Sequence, residues 1–165
     1  MDTVFGALKD IAGARAICLY SKEVQTIKDE LDLLDEAGQI KKITPPKDHQ
    51  KDTDSDNKGY RAIHYWFKIG EKRKEVYEFK DLEDLKCEIQ IRTVLSDGWA
   101  HASHEINYKP GIDSELRNDG TYMKILDDLF KLSSEIENKD DKLQELRERF
   151  DDVCEKYYRE NKRRQ

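Results

Sequence analysis

The stretch Leu85–Thr93, LKCEIQIRT, alternates without a break. Successive side chains of an extended chain point to opposite faces, so Cys87, Ile89 and Ile91 share one side while Lys86, Glu88, Gln90 and Arg92 share the other. The first side suits a core. The second offers an acid, an amide and two cations. It is either the wet surface of a sheet or the floor of a site, and the rest of the chain has to decide which.

Working outward, a helix is expected from about Val94 to Tyr108, where Lys-Pro-Gly ends it. Upstream, YRAIHYWFKI (60–69) alternates in the same way, with Tyr60, Ala62, His64 and Trp66 on one face and Arg61, Ile63, Tyr65 and Phe67 on the other. EVYEF (75–79) reads as a further strand after a turn near GEKRK. A strand is expected from Ala14 to Tyr20, then a helix N-capped by Ser21 and carrying Val24, Ile27, Leu31 and Leu34 on one face, with Gly38 as its stop. QIKKI (39–43) is a short strand. TPPKDHQKDTDSDNKG (44–59) reads as a long mobile loop of the kind that serves as a lid or binding loop.

Past residue 110 the pattern turns helical. Leu126, Leu129, Phe130 and Leu132 mark one segment, and Leu143, Leu146, Phe150, Val153 and Tyr157 mark a second, an amphipathic stripe expected to pack on the sheet or on a partner helix. ENKRRQ is a charged, frayed end. The fold class is therefore α+β, a mixed sheet flanked by helices, with a core over 1–110 and a helical extension over 111–165.

The chain has 165 residues, enough for one domain with a real core. Its net charge of −6 argues against general nucleic-acid affinity, since phosphate backbones favour basic surfaces, but leaves room for a local basic pocket. Cys18, Cys87 and Cys154 are far apart and form no CxxC, which reads as free thiols. No apolar run approaches the ~20 residues a membrane requires. We read the chain as a reduced, cytoplasmic protein.

On spacing alone, Asp10 and Glu88 are a strand cap and the partner of a cross-strand lysine, or two carboxylates for Mg²⁺, which takes one or two carboxylates plus phosphates and water. Tyr60 and His64 are ordinary residues of a half-exposed face, or a base platform with a phosphate donor. Arg61 and Arg92 are solvated surface cations, or phosphate ligands of the bidentate kind. His101 and His104, with Glu105, have a spacing that can present two metal ligands, but no HExxH and no third zinc ligand accompany them. The P-loop and GxGxxG signatures are absent, so any nucleotide is bound by another architecture.

Four segments together resemble the synthetase domain of the RelA/SpoT family, the alarmone synthetases that make (p)ppGpp: KDIAGARAICLY (9–20), KGYRAIH (58–64), CEIQIRT (87–93) and DGWAHASHEINYK (97–109). They occur in family order over about Leu8 to Lys109. The resemblance implies a nucleotidyltransferase-like mixed sheet and Mg²⁺-dependent transfer of pyrophosphate from ATP to the 3′-hydroxyl of GDP or GTP. It implies that Asp10 and Glu88 are the metal and catalytic carboxylates, with Glu88 a candidate base. Tyr60 matches the residue that stacks on guanine. His64, Gln90 and Arg92 match the acceptor and phosphate pocket, Arg15 the ATP side, and Arg61 and His104 fall within the matched motifs. Lys47 and Lys51 lie where family lysines approach phosphates. Some relatives act as toxins on tRNA 3′ ends, which makes tRNA an alternative acceptor and a degenerate binding module an alternative reading. Lys58 stands where the family usually has Asn. The family's upstream basic ATP segment has little room before Asp10 and is expected to be missing, and without a His-Asp dipeptide no alarmone hydrolysis is expected. Self-association through the C-terminal helices is expected as well.

Overall fold

The computed structural model describes residues 12–49, 59–107 and 114–162. The opening stretch is a strand, β5 (Cys87–Thr93), in the middle of the sheet. It lies parallel to β1 (Ala12–Cys18) and antiparallel to β4 (Ile63–Ile69). Along its other edge β4 pairs with β2 (Ile40–Lys42) and with β3, the two residues Lys47–Asp48. The segment read as an open loop thus contributes an edge strand, held because β4 still has unpaired backbone groups there.

The alternation decides the two faces as expected. Cys18, Ile63, Tyr65 and Ile91 point to one side and pack with Val24 and Leu31 of α1 (Ser21–Glu36), with Ile27 and Ile89 at the margin. The first residue of α1 is Ser21 and its N-cap is Tyr20, a correction to the cap expected from sequence. Glu23 does the capping, its Oε2 accepting the backbone N–H groups of Leu19 and Tyr20 at 2.8 and 3.3 Å. Gly38, at φ +69°, ends the helix, and its N–H bonds to Asp35 O.

EVYEF is not a strand. A single turn, α2 (Glu71–Lys74), and a 3₁₀ segment (Tyr77–Leu82) occupy this region, and Tyr77 is exposed. Both edges of β4 are already taken by β5 and by β2 with β3, so this segment has no neighbouring edge there to pair with.

Helix α3 (Val94–Asn107) follows β5 directly, with Thr93 Oγ1 accepting the N–H of Ser96 at 3.2 Å. After a short α4 (Ser114–Arg117), the two C-terminal segments prove to be one helix, α5 (Gly120–Lys162), 43 residues and about 65 Å long. Its first half packs on the domain. Trp99 Nε1–H donates to Leu129 O at 3.0 Å, and the buried Asp140 accepts from Thr93 Oγ1 at 2.6 Å. Near Gln144, which accepts the N–H of Lys22, the helix meets the start of α1. The stripe from Leu143 to Tyr157 does not lie on the sheet; all five residues are exposed, because the helix runs past the core it began on. The three cysteines are free, and no helix among the described residues is long and apolar enough to cross a membrane.

Candidate functional site

The polar face of β5 lies opposite α1, and strand register assembles the site there. Arg15 of β1 pairs with Gln90, Gln90 with His64, and His64 with Lys47 of β3. Four residues from four strands therefore form one row across the sheet. The next row is Gly13, Glu88 and Trp66. Among the described residues, a side chain on Gly13 would meet nothing within 4 Å.

Hydrogen bonds tie the rows together. His64 Nδ1 is 2.8 Å from Glu88 Oε1, and Gln90 Nε2–H donates to Glu88 Oε2 at 2.9 Å. A carboxylate only accepts, so Nδ1 carries the imidazole hydrogen and Nε2 is free to accept from the Tyr60 hydroxyl, 3.2 Å away. Burial pushes the His64 pKa below its ordinary value, against the opposing pull of Glu88, and this keeps the ring neutral. Burial also raises the Tyr60 phenol, with Arg92 and Arg15 acting the other way. Arg92 Nη1 donates to the Tyr60 hydroxyl at 3.4 Å, and the guanidinium stands 5.7 Å from the centre of that ring.

Above this floor opens a cavity of about 720 Å³, within the size range of small-molecule sites. Arg15, Gln90 and Arg92 line it from the sheet, Tyr60 from the segment just before β4, which starts at Ile63 and not at Tyr60 as the alternation suggests, and His101, His104 and Glu105 from α3. Glu88 and His64 join it through Gln90 and Tyr60. Lys47 extends the row beyond His64. Arg61 goes elsewhere: its Nη2 pairs with Glu137 at 2.8 Å and its Nε–H donates to Ser133, because alternation turns it toward α5. Asp10 and Lys51 lie outside the described residues.

Two participants carry no signal in the spacing. Asp97, in the first turn of α3, lies 2.7 Å from Arg92 Nη2 and 3.4 Å from Arg15 Nη1. His49, inside the polar segment after β3, is buried with its ring 4.5 Å from His64 and 5.5 Å from Tyr60. Alternation cannot find residues that reach a strand face from a helix or a loop. His101 joins the site through Arg15, whose Nη1 stands 3.5 Å from its Nε2. No cluster of three metal-ligating side chains occurs among the described residues.

The cavity is basic and partly aromatic, lined by Arg15, Arg92, Tyr60, His101 and His104, with Glu88 hydrogen-bonded behind Gln90, and its cations have the chemistry that suits a phosphorylated ligand. The family model described as "Region found in RelA / SpoT proteins" matches residues 2–113, and the chain belongs to that family. It is 33% identical over 129 residues to GTP pyrophosphokinase YwaC of Bacillus subtilis (strain 168), covering 78% of this chain and 52% of that protein. Small alarmone synthetase 1 of B. subtilis, solved with its product pppGpp, superposes with a TM-score of 0.62 at 23% identity, covering 87% of this chain and 64% of that one. Small alarmone synthetase 2 of the same organism gives 0.63 at 25%, covering 86% and 67%. The chain thus spans about half the length of the curated relative it matches.

Proposed function

We propose that this chain carries the catalytic core of a (p)ppGpp synthetase, transferring pyrophosphate from ATP to the 3′-hydroxyl of GDP or GTP. The observation that carries the reading is the cross-sheet row Arg15–Gln90–His64–Lys47, drawn from four strands and hydrogen-bonded to Glu88, whose Arg15 and Gln90 line one cavity together with Tyr60 and Arg92. Family membership and the named relatives support the same reading.

The reaction forms a bond from the acceptor 3′-oxygen to the β-phosphorus of ATP and breaks the α–β bridge, releasing AMP. Such transfers depend on placement and charge neutralisation more than on covalent apparatus. Tyr60 is the stacking face for guanine. Arg15, Lys47, Lys51 and His104 neutralise phosphates, with His64 and Gln90 orienting the acceptor. Glu88 takes the hydroxyl proton; hydrogen bonds from His64 and Gln90 occupy one lone pair on each of its oxygens and leave others to accept it. Mg²⁺, when bound by Glu88 and Asp10, supplies charge neutralisation for the transferred phosphates. Glu88 faces Gly13 across the strand pair, and a Cβ on Gly13 would meet no described residue within 4 Å, which suits that role. The setting is a cytoplasmic stringent-response-type signal, and the exposed stripe of α5 is the face through which copies self-associate.

Incubating the chain with labelled ATP, Mg²⁺ and GDP or GTP tests this. We expect label in a guanine product with AMP released, and a loss of at least ~100-fold in Glu88→Gln at unchanged melting temperature. Full activity in that variant would sink the assignment.

A further inference from the structure

We infer that Asp97 is the positioning residue of this pocket and divides its two arginines by task, Arg92 serving the base platform and Arg15, which lines the same cavity as Tyr60, the phosphates of the nucleotide stacked there rather than the ATP side that the resemblance implies. The inference rests on the nucleotide reading above.

Arg92 is an unusual phosphate ligand. Its side chain is 3% exposed, and its Nε–H has no acceptor among the described residues. A guanidinium this buried needs a fixed counter-charge, and removing one partner of such a pair leaves an uncompensated charge in the interior. Asp97 Oδ1, 2.7 Å away and 16% exposed, is that counter-charge. The other hold on Arg92 among the described residues is Tyr60, through its hydroxyl and its ring. Asp97 therefore sets where the guanidinium stands relative to the Tyr60 ring, and with it the surface offered to a base.

Arg15 is held differently. The same Oδ1 reaches it only at 3.4 Å, its side chain is 40% exposed, and His101 Nε2 stands 3.5 Å from the same nitrogen. His101 is itself oriented by Asp97, its Nδ1 lying 2.9 Å from the Asp97 backbone carbonyl. An arriving phosphate competes with Asp97 for both cations. It can take the loose, exposed Arg15, because a phosphate offers the shorter charge-assisted bonds. It cannot take Arg92 without unburying it. One carboxylate thus locks one arginine and lends the other.

The two tasks are separable by comparing guanosine, which has no phosphate, with GDP in titration calorimetry on the full chain. Asp97→Asn is expected to weaken guanosine about tenfold, because Arg92 and Tyr60 lose their anchor. The GDP-to-guanosine affinity ratio is expected to rise severalfold, because Arg15 no longer has a competing carboxylate. Equal loss for both ligands would mean a purely structural role and overturn the inference, as would unchanged binding of both. Should Asp97→Asn fail to fold, Asp97→Glu keeps the charge and displaces it by one methylene. The same shift in ratio is then expected at a smaller factor, and an unaltered ratio overturns the inference. Wild-type chain that binds neither ligand overturns the nucleotide reading itself and this inference with it. Wild-type binding that Asp97→Asn leaves untouched overturns the positioning role alone.

Discussion

His64 stands between two residues with opposite demands. Glu88 accepts its Nδ1–H, and the Tyr60 hydroxyl lies within reach of its Nε2. Only the neutral ring satisfies both, and burial favours that form. The sign of the pH dependence follows. With the folded pKa depressed, the unfolded chain binds the proton more readily, so this contribution to stability is complete above the ordinary value of 6.5 and is lost as pH falls through it toward the folded value. Melting temperatures measured from pH 8 down to pH 5 should therefore fall, and His64→Gln should flatten the fall. At this scale the sequence was informative where a side chain acts from its own strand, as Glu88 and Gln90 do. It was silent on Asp97 and His49, whose parts in the site depend on where a helix start and a loop come to rest.

At the scale of elements, the long helix α5 braces the segment that carries Tyr60. Ser133 Oγ donates to Gly59 O and accepts from Arg61 Nε–H, while Glu137 pairs with Arg61 one turn on. Gly59 has φ +87°, and a Cβ there would come within 3.0 Å of the Trp99 ring and 3.1 Å of Ser133. Both the left-handed backbone and the close approach require glycine. Gly59→Ala should cost about 2–4 kcal/mol, combining backbone strain with overpacking, read as a drop in denaturation midpoint at unchanged slope. A stability change below ~0.5 kcal/mol would show that the bracing is slack. The helical period of α5 was legible, but its continuity was not, because two apolar clusters on one face read the same whether the helix between them breaks or runs on. EVYEF misled for a related reason. Its alternation describes a strand, yet a strand needs an edge, and β4 had none left.

Across the whole molecule, α5 divides in function. Up to Glu148 it touches the domain, Arg147 over the Tyr20 ring and Glu148 beside Lys22; beyond, Phe150, Val153 and Tyr157 are 61%, 65% and 64% exposed. Replacing these three by Ser should leave the melting temperature within about 2 °C, since exposed side chains contribute little to the fold. If copies associate through this face, light scattering at micromolar concentration should give more than one chain per particle for the wild type and one for the triple variant. One chain per particle for both would exclude that interface. The alternation in LKCEIQIRT by itself determined which side chains of β5 face the core, because strand geometry alone separates odd from even residues. Helix periods and the resemblance of four short motifs were likewise properties of the linear chain. Only the tertiary structure decided that Arg15, Gln90, His64 and Lys47 share one row, that Arg61 leaves it and that Asp97 enters it. Register between strands and the landing point of a helix are set by packing and pairing between distant segments, and the order of residues along any one segment does not contain them.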